Sequence, residues 1–286
     1  MRLALFIITL LYSTSLFAQA PIQPTFTKTT ATRHNPITAI LGAFPPEVAV
    51  IRTKIKDRKD TIIQNIQFST GLLNGRNVVL AQTGIGKVNA ASITTLILDH
   101  FNPEEVIFSG IAGGINMALH PGDIVVATRV AYHDYGTLTP DSVLIRKTRN
   151  PFTMQENPEY FPCDTNLVSL ATIAASRVIL HKIRTGTDSI APQVIKGTIV
   201  TGDVFVSSDK ATTYLRTRFN ADATEMEGAA VGQICWQQKT PFVVIRSLSD
   251  NANNNASADV LTFYQIAANN SATLVVAIVG LIAKAQ

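Results

Sequence analysis

The chain is poor in the residues that build metal centres and covalent frameworks. Cys163 and Cys235 are its only cysteines among 286 residues, too few for a cysteine-built metal site. Cys235 lies on the apolar helical stretch "AAVGQICW" and reads as a small core residue, although an exported chain could join the two. The five histidines (His34, His100, His120, His133 and His181) are too dispersed to supply a ligand pair, so no metal is expected. Charged residues make up only 15%, with a formal net charge of +4. Lys and Arg are scattered, as in "IRTKIKDRKD", and are not interleaved with aromatics, which reads as a solvated face and not as a nucleic-acid patch. Phosphate-loop fingerprints are missing too. Gly84-Ile85-Gly86-Lys87 lacks the earlier glycine and the following Ser/Thr of a P-loop, and Gly110-Ile111-Ala112-Gly113-Gly114 lacks dinucleotide-binding spacing. No internal repeat or linker interrupts the chain.

What is present is apolar and regularly patterned. A hydrophobic content of 46% excludes a disordered or coiled-coil chain and permits one sizeable core. The first twenty residues, "MRLALFIITLLYSTSLFAQA", join Arg2 to an apolar run and end in small residues, the pattern of a secretory signal peptide. Pro21 would hinder cleavage just before it, so the expected cut follows Ala18. Residues 19–36 then read as an irregular leader and the mature protein as exported, periplasmic or secreted.

From Ile37 onward strands and helices alternate, which predicts one α/β domain with a mixed sheet over 37–286. "ITAILGAF" reads as a strand, "EVAVIRTKI" as a helix begun by Pro45-Pro46, and "IQFSTGLLNGRNVVLAQTG" as a hairpin turning at Asn74-Gly75. "GKVNAASITTLILDHF" and "NLVSLATIAASRV" have helical spacing. "EEVIFSGIAGG", "GDIVVATRVAYHDYG", "GTIVTGDVFVSS" and "PFVVIRSLSD" read as strands, and "TEMEGAA" as a helix start. The C-terminal helix "LTFYQIAANNSATLVVAIVGLIAKA" is apolar on most faces, but Asn269, Asn270 and Ser271 argue for a buried or interface helix and against a membrane span. Ligands of such sheets collect beyond strand carboxyl ends, which would place "GAFPPE", "SGIAGG", "VTGDVFV" and "RSLSD" at one rim.

Three acidic residues stand at that rim: Glu47, Glu227 and Asp250. Each has a local explanation. Glu47 and the Glu225/Glu227 pair could complement helix dipoles, and Asp250 could cap the turn "NANNN". Their joint placement favours a site.

In order along the chain, "ILGAFPPEV", "TGIGKVNAA", "GIAGG", "GDIVVA", "YHD", "TGDVFV", "EMEGAA" and "PFVVIRSLSD" resemble the nucleoside phosphorylase/nucleosidase superfamily, above all the 5′-methylthioadenosine/S-adenosylhomocysteine nucleosidases. The resemblance spans Ile40 to Asp250. It implies a three-layer α/β/α fold around a mixed, partly barrel-like sheet, a purine nucleoside as substrate, no cofactor, and a homodimer whose partner closes the 5′ pocket. It implies that Asp250 is the general acid toward purine N7 and that Glu47 positions and deprotonates the attacking water. By the same resemblance Arg246 and Ser249 support them, Glu227 binds the ribose hydroxyls with Met226 packed on the sugar, Phe205 stacks on adenine, and the Val206 backbone reads the base edge. Glu225 is either a helix-start carboxylate or a neighbour of the sugar site. Ala112 and Gly113 belong to the glycine cluster whose backbone can approach a ligand closely. Phe44, Ile85 and Met226 form an apolar 5′ pocket or ordinary core.

Storage proteins of plants resemble "GIAGG", "TGDVFVSS" and "RSLSD" as well, so a non-catalytic nucleoside-binding protein is a second reading; Glu47 argues against it. The phosphorylases of the superfamily carry an arginine before the glycine cluster, whereas this chain has Phe108-Ser109 there, with Arg246 and Lys87 as the remaining candidates for phosphate. Hydrolysis is therefore expected over phosphorolysis. Ile111 stands where the nucleosidases usually have serine and Phe44 where they have methionine. The aromatic expected early in the last helix falls on Val260 or is absent.

Overall fold

The computed structural model describes residues 36–140, 142–185 and 188–285. The signal peptide expected over 1–18, and all but the last residue of the leader expected over 19–36, lie outside the described residues.

The first strand, β1 (Ile37–Gly42), is buried along its length and leads into α1 (Pro45–Lys54). Two prolines open that helix where the missing N–H groups would have no intrahelical partner. A meander follows: β2 (Lys56–Ile63), β3 (Ile66–Leu73) and β4 (Arg76–Gln82). Asn74 and Gly75, at φ +51° and +89°, make the β3–β4 turn as a two-residue hairpin requires. Next come α2 (Lys87–Phe101), β5 (Glu105–Gly114) and β6 (Ile124–Tyr132). A small hairpin, β7 (Gly136–Leu138) with β8 (Val143–Ile145), precedes the two-residue β9 (Phe161–Pro162) and α3 (Thr165–Ala175). A second hairpin pairs β10 (Ile183–Thr185) with β11 (Asp188–Ile190). Then follow β12 (Val194–Thr201), α4 (Asp209–Phe219), β13 (Ala223–Glu225), α5 (Gly228–Gln238), β14 (Phe242–Asp250) and α6 (Ala256–Lys284).

The main sheet runs β13-β12-β6-β14-β5-β1-β4-β3-β2, and β13 also pairs with β5. That second pairing closes β5, β14, β6, β12 and β13 into a five-stranded barrel, with β1 to β4 extending from it as an open wing. Helices α1 and α3 each pack on α6, which lies on β5 and β14, while α2 and α5 pack on each other. This is the three-layer α/β/α arrangement with a partly barrel-like sheet.

One strand organises the site. The first half of β5 pairs with β1, through Leu41 opposite Phe108, and its end pairs with β13, through Thr224 opposite Gly113. Between them the edge of β5 forks and leaves room for side chains at Ser109 to Ala112. The expected single rim of strand ends is corrected by the topology. Strands β6, β12 and β13 run antiparallel to β14 and β5, so the end of β12 does not share a rim with those of β1 and β14. Barrel closure, and not common strand direction, brings the acidic residues together.

Two other expectations are also refined. "GTIVTGDVFVSS" is strand only to Thr201, and the rest is loop. In "TEMEGAA", Thr224 and Glu225 end β13 and the helix begins at Gly228. The apolar α6 is long enough to cross a membrane by composition, yet Asn270 and Ser271 are wholly buried in the fold. Asn270 exchanges hydrogen bonds with the His181 backbone, at 2.7 Å to its N–H and 3.0 Å to its carbonyl. Ser271 Oγ lies 3.0 Å from Ser109 Oγ and accepts from Gly110 N at 3.1 Å, anchoring α6 beneath the fork. Cys163 and Cys235 are free, buried thiols. Burial pushes Cys163 up to about 12 and Cys235 upward as well, so neither is a ready nucleophile.

Candidate active site

Glu47 is the third residue of α1 and turns back over the helix start. Its Oε2 accepts from the backbone N–H of Ala43 and, at 3.2 Å, of Phe44. The helix-start explanation for this carboxylate is thus physically real. Its other oxygen does something a cap does not require: Oε1 accepts from Ile111 N at 2.8 Å, across the fork in β5, and stands 3.8 Å from Arg246 Nη1. Glu47 is buried, and burial raises its pKa against the opposing pull of Arg246 and three N–H donors.

Arg246 sits in the middle of β14, fully buried, with its guanidinium 4.2 Å over the Phe108 ring. Its Nη1 donates to Ser109 O at 3.3 Å; its Nη2 donates to Glu225 and, at 3.2 Å, to Glu227 Oε2. Burial disfavours the charge, but Glu225, Glu47 and Glu227 reverse that penalty and push its pKa upward. Arg246 therefore stays cationic among three carboxylates. If all three were ionised, the cluster would carry two net negative charges in a dry site, an arrangement that costs several kcal/mol unless a proton or ligand relieves it.

The two glutamates of "TEMEGAA" separate cleanly. Glu225 uses its carboxylate within the protein: it accepts from Thr201 Oγ1, from Glu227 N at 3.1 Å and from Gly228 N at 2.8 Å, besides Arg246. It both starts α5 and holds the arginine. Glu227 is less committed, accepting Gly86 N at 2.9 Å and the one Arg246 bond. Burial and the neighbouring Glu225 raise its pKa to about 8. Met226 between them is half-buried.

Asp250 closes β14, four residues beyond Arg246. Leu248 pairs with Ala112 and Asp250 with Gly113, so Ser249 is the extra residue of a bulge that re-aims the strand's end. Ser249 Oγ donates to Asp250 Oδ2 at 2.7 Å, and Ala252 N to Oδ1 at 2.7 Å. A Cβ on Gly113 would lie 2.9 Å from Asp250 Oδ1, so glycine there makes room for the acid. Burial raises the Asp250 pKa; Ser249 and Ala252 oppose it, and Asp259 adds to it. The loop after β12 lies alongside. Ser208 N donates to Ala252 O at 3.0 Å, Val206 packs against the small apolar cluster that includes buried Ala252, and Phe205 is 52% exposed.

The structure thus joins Glu47, Arg246, Glu225 and Glu227 in one network, and Asp250, Ser249, Ala112 and Gly113 in a second, four residues or roughly 13 Å further along β14. Phe44 is half-buried, and its aromatic neighbour in α6 is Tyr264, at 6.4 Å between ring centroids. Ile85 is 55% exposed, between glycines at φ +82° and +97°. A cleft of about 620 Å³ lined by Trp236, Lys239 and Asn157 sits at the other end of β14 and contains none of these groups; converging carboxylates, not cavity size, locate the site.

Several participants escaped the sequence. Thr201, Gly86 and Ser271 act through hydrogen bonds whose partners are distant in the chain. Lys87, a candidate for phosphate, is instead held by Asp134, at 2.7 Å from both oxygens, and lies 3.6 Å from Asp203. Both cations considered for phosphate are thus committed to carboxylates.

A sequence profile of the phosphorylase superfamily matches residues 37–280. The chain is 40% identical, over 82% of its length and 95% of the relative's, to a 5′-methylthioadenosine/S-adenosylhomocysteine nucleosidase of Psychromonas ingrahamii. Among solved structures it is similar to the nucleosidase of that name from Neisseria meningitidis in complex with methylthio-immucillin-A, with a TM-score of 0.72 and 33% identity, covering 86% of this chain and 99% of that one. It is similar also to the enzyme from Colwellia psychrerythraea in complex with adenine, with a TM-score of 0.72 and 34% identity over 86% and 96% of the two chains.

Proposed function

The chain belongs to the phosphorylase superfamily, and from that premise we propose that it is a purine nucleosidase. It hydrolyses the N-glycosidic bond of a nucleoside of the 5′-methylthioadenosine/S-adenosylhomocysteine type and releases adenine. The observation that carries the mechanism is the unlike surroundings of its two reacting carboxyls. Burial raises the pKa of both, but Glu47 alone also faces a cation, Arg246, and accepts from three N–H donors that oppose the rise. Asp250 has one hydroxyl, one N–H and a distant like charge in Asp259, and its pKa is raised. Paired carboxyls held in different environments divide the work of acid and base.

Cleavage of an N-riboside passes through an oxocarbenium-like sugar. Asp250 enters protonated and gives its proton to N7 of the departing purine, which leaves neutral. Glu47 orients a water on the opposite face of the ribose and takes its proton as the C1′–O bond forms, the logic of inverting glycoside hydrolysis. Glu227 accepts the ribose hydroxyls, where strong charge-assisted bonds offset its burial. Glu225 and Arg246 hold that group and Glu47 in place, Met226 packs on the sugar, and Phe205 and the Val206 backbone receive the base. Ile85 and Phe44, the latter beside Tyr264, line the 5′ end.

Phosphorolysis is disfavoured because a phosphate dianion would enter a cluster of three carboxylates whose arginine is already shared. A non-catalytic binding role is disfavoured because Glu47 is built across the fork at a backbone N–H and an arginine, more than ligand binding needs. Adenine release from methylthioadenosine in phosphate-free buffer is the test. Full turnover without phosphate is expected, and strict phosphate dependence would overturn the assignment.

The reading extends to location and assembly. The signal-like N-terminus supports an exported protein, periplasmic or secreted, that salvages nucleosides outside the cytoplasm. Exposed Ile85, Val88, Val204 and Phe205 near the site support a homodimer that covers them. Light scattering should give twice the monomer mass, and a monomer would remove that part of the reading.

A further inference from the structure

The loop that carries Phe205 is tied down at both ends by different means. At its C-terminal end, Ser208 N and Ser207 Oγ donate to the carbonyls of Ala252 and Asn253, at 3.0 and 3.2 Å. That end follows the segment behind Asp250. At its N-terminal end the anchor is Asp203. Its Oδ1 accepts from Lys87 N at 2.8 Å, its Oδ2 lies 3.6 Å from Lys87 Nζ, and its own N–H donates to Asp134 Oδ2 at 2.8 Å. Lys87 Nζ also donates to both Asp134 oxygens at 2.7 Å, 5.5 Å over the Tyr132 ring. Three separate segments therefore meet at one ammonium: the start of α2, the end of β6 with its following turn, and the loop after β12. Between the two anchors Val204 and Phe205 are 53% and 52% exposed within the chain.

Charge makes the ammonium necessary. Asp134 and Asp203 are brought together by the Asp203 N–H bond, and without Lys87 two carboxylates would face each other across a partly sheltered gap. The Lys87 and Asp134 side chains keep 21% and 19% of their exposure and Asp203 keeps 45%, so water screens the Asp134 end of the pair less than the Asp203 end. The relief available to the pair is outward movement of the loop.

We propose that Lys87 is a positioning residue for the purine. Its ammonium holds the Asp203–Val206 loop at the height at which Phe205 meets the base, without touching substrate. This rests on the reading of Phe205 as the platform for the base. The sugar side is anchored separately, since Glu227 accepts from the Gly86 backbone, a bond the Lys87 side chain does not make. Loss of the ammonium therefore weakens base binding selectively.

The test uses Lys87→Met in the full chain, with calorimetric binding of free adenine and of 5-methylthioribose beside steady-state kinetics on methylthioadenosine. Adenine affinity is expected to fall about tenfold and methylthioribose affinity to stay within about twofold, with KM rising more than kcat falls. Lys87→Arg should recover most of the loss, since its guanidinium can also reach two carboxylates. Unchanged adenine affinity overturns the proposal, and so does an equal loss for both ligands, which is general loosening. Should Lys87→Met fail to fold, Asp203→Asn keeps an acceptor for Lys87 N but removes one charge; adenine affinity is expected to fall about threefold, and no change there overturns the proposal. A wild type that releases no adenine from methylthioadenosine refutes the nucleosidase reading, whereas wild type and variant binding adenine equally refutes only the clamp.

Discussion

Gly110 leaves empty the space that the Arg246 guanidinium fills: a Cβ built on residue 110 would lie 1.6 Å from Nη1 and 2.6 Å from Glu47 Oε1. The glycine cluster of β5 therefore serves a side chain from the neighbouring strand, not a phosphate. Gly110→Ala must displace the arginine and break its links to Glu47, Glu225 and Glu227. Disrupting a buried ion cluster costs about 3–5 kcal/mol. A clearly lower melting temperature and at least about a hundredfold loss of base release are expected; thermal unfolding and steady-state assays check both.

Glu227 makes stability depend on pH. Its folded pKa, about 8, exceeds the ordinary value of 4.5, so the folded state binds the proton more tightly than the unfolded one. The resulting stabilisation is fully present below about pH 4.5 and is lost as pH rises through 8. Each group of this kind contributes a slope of up to about 1.4 kcal/mol per pH unit in that window. Urea unfolding of the ligand-free protein should show stability falling between pH 5 and pH 8.5, and Glu227→Gln should flatten that slope. Identical slopes in both proteins would contradict the raised pKa.

Asp250→Asn keeps the shape of the side chain and removes the acid. Turnover is expected to fall by about a hundred- to ten-thousandfold while adenine affinity stays within a few-fold. Near-normal turnover would remove Asp250 as the proton donor.

Ser249→Ala deletes a hydrogen bond that favours ionised Asp250. The acid should then keep its proton to higher pH, moving the alkaline limb of the rate profile upward by about half a unit to one unit. A pH–rate profile that does not move, or moves downward, contradicts that role for Ser249.

The elements legible in the sequence were those with strong local signals. β1, β5 and β14 are continuous apolar runs because both faces are covered. The β3–β4 turn is written in Asn74-Gly75, whose residues tolerate positive φ. β2, "KDRKDTII", was missed because its side chains are almost all exposed and no apolar alternation marks it. α4 was missed for a related reason: "DKATTYLRTRF" buries only Leu215 and Phe219. β13 is three residues long and exists because β12 and β5 flank it, which no window of sequence can register.

The amino-acid sequence alone determined most of the secondary-structure alternation and the order of the motifs, since these depend on residue type and near-neighbour spacing. Glu47, Glu227 and Asp250 were visible as acids in apolar company. Tertiary structure decided everything that depends on closure of the barrel. It forked β5 so that Ile111 N meets Glu47, ran β12 and β13 against the direction of β14, and set one arginine among three carboxylates. It also turned Lys87 from a candidate for phosphate into the junction of three chain segments. Those outcomes are electrostatic and geometric relations between residues as far as 199 positions apart, from Glu47 to Arg246. Charge and hydrogen-bond partners at that separation are chosen by the fold.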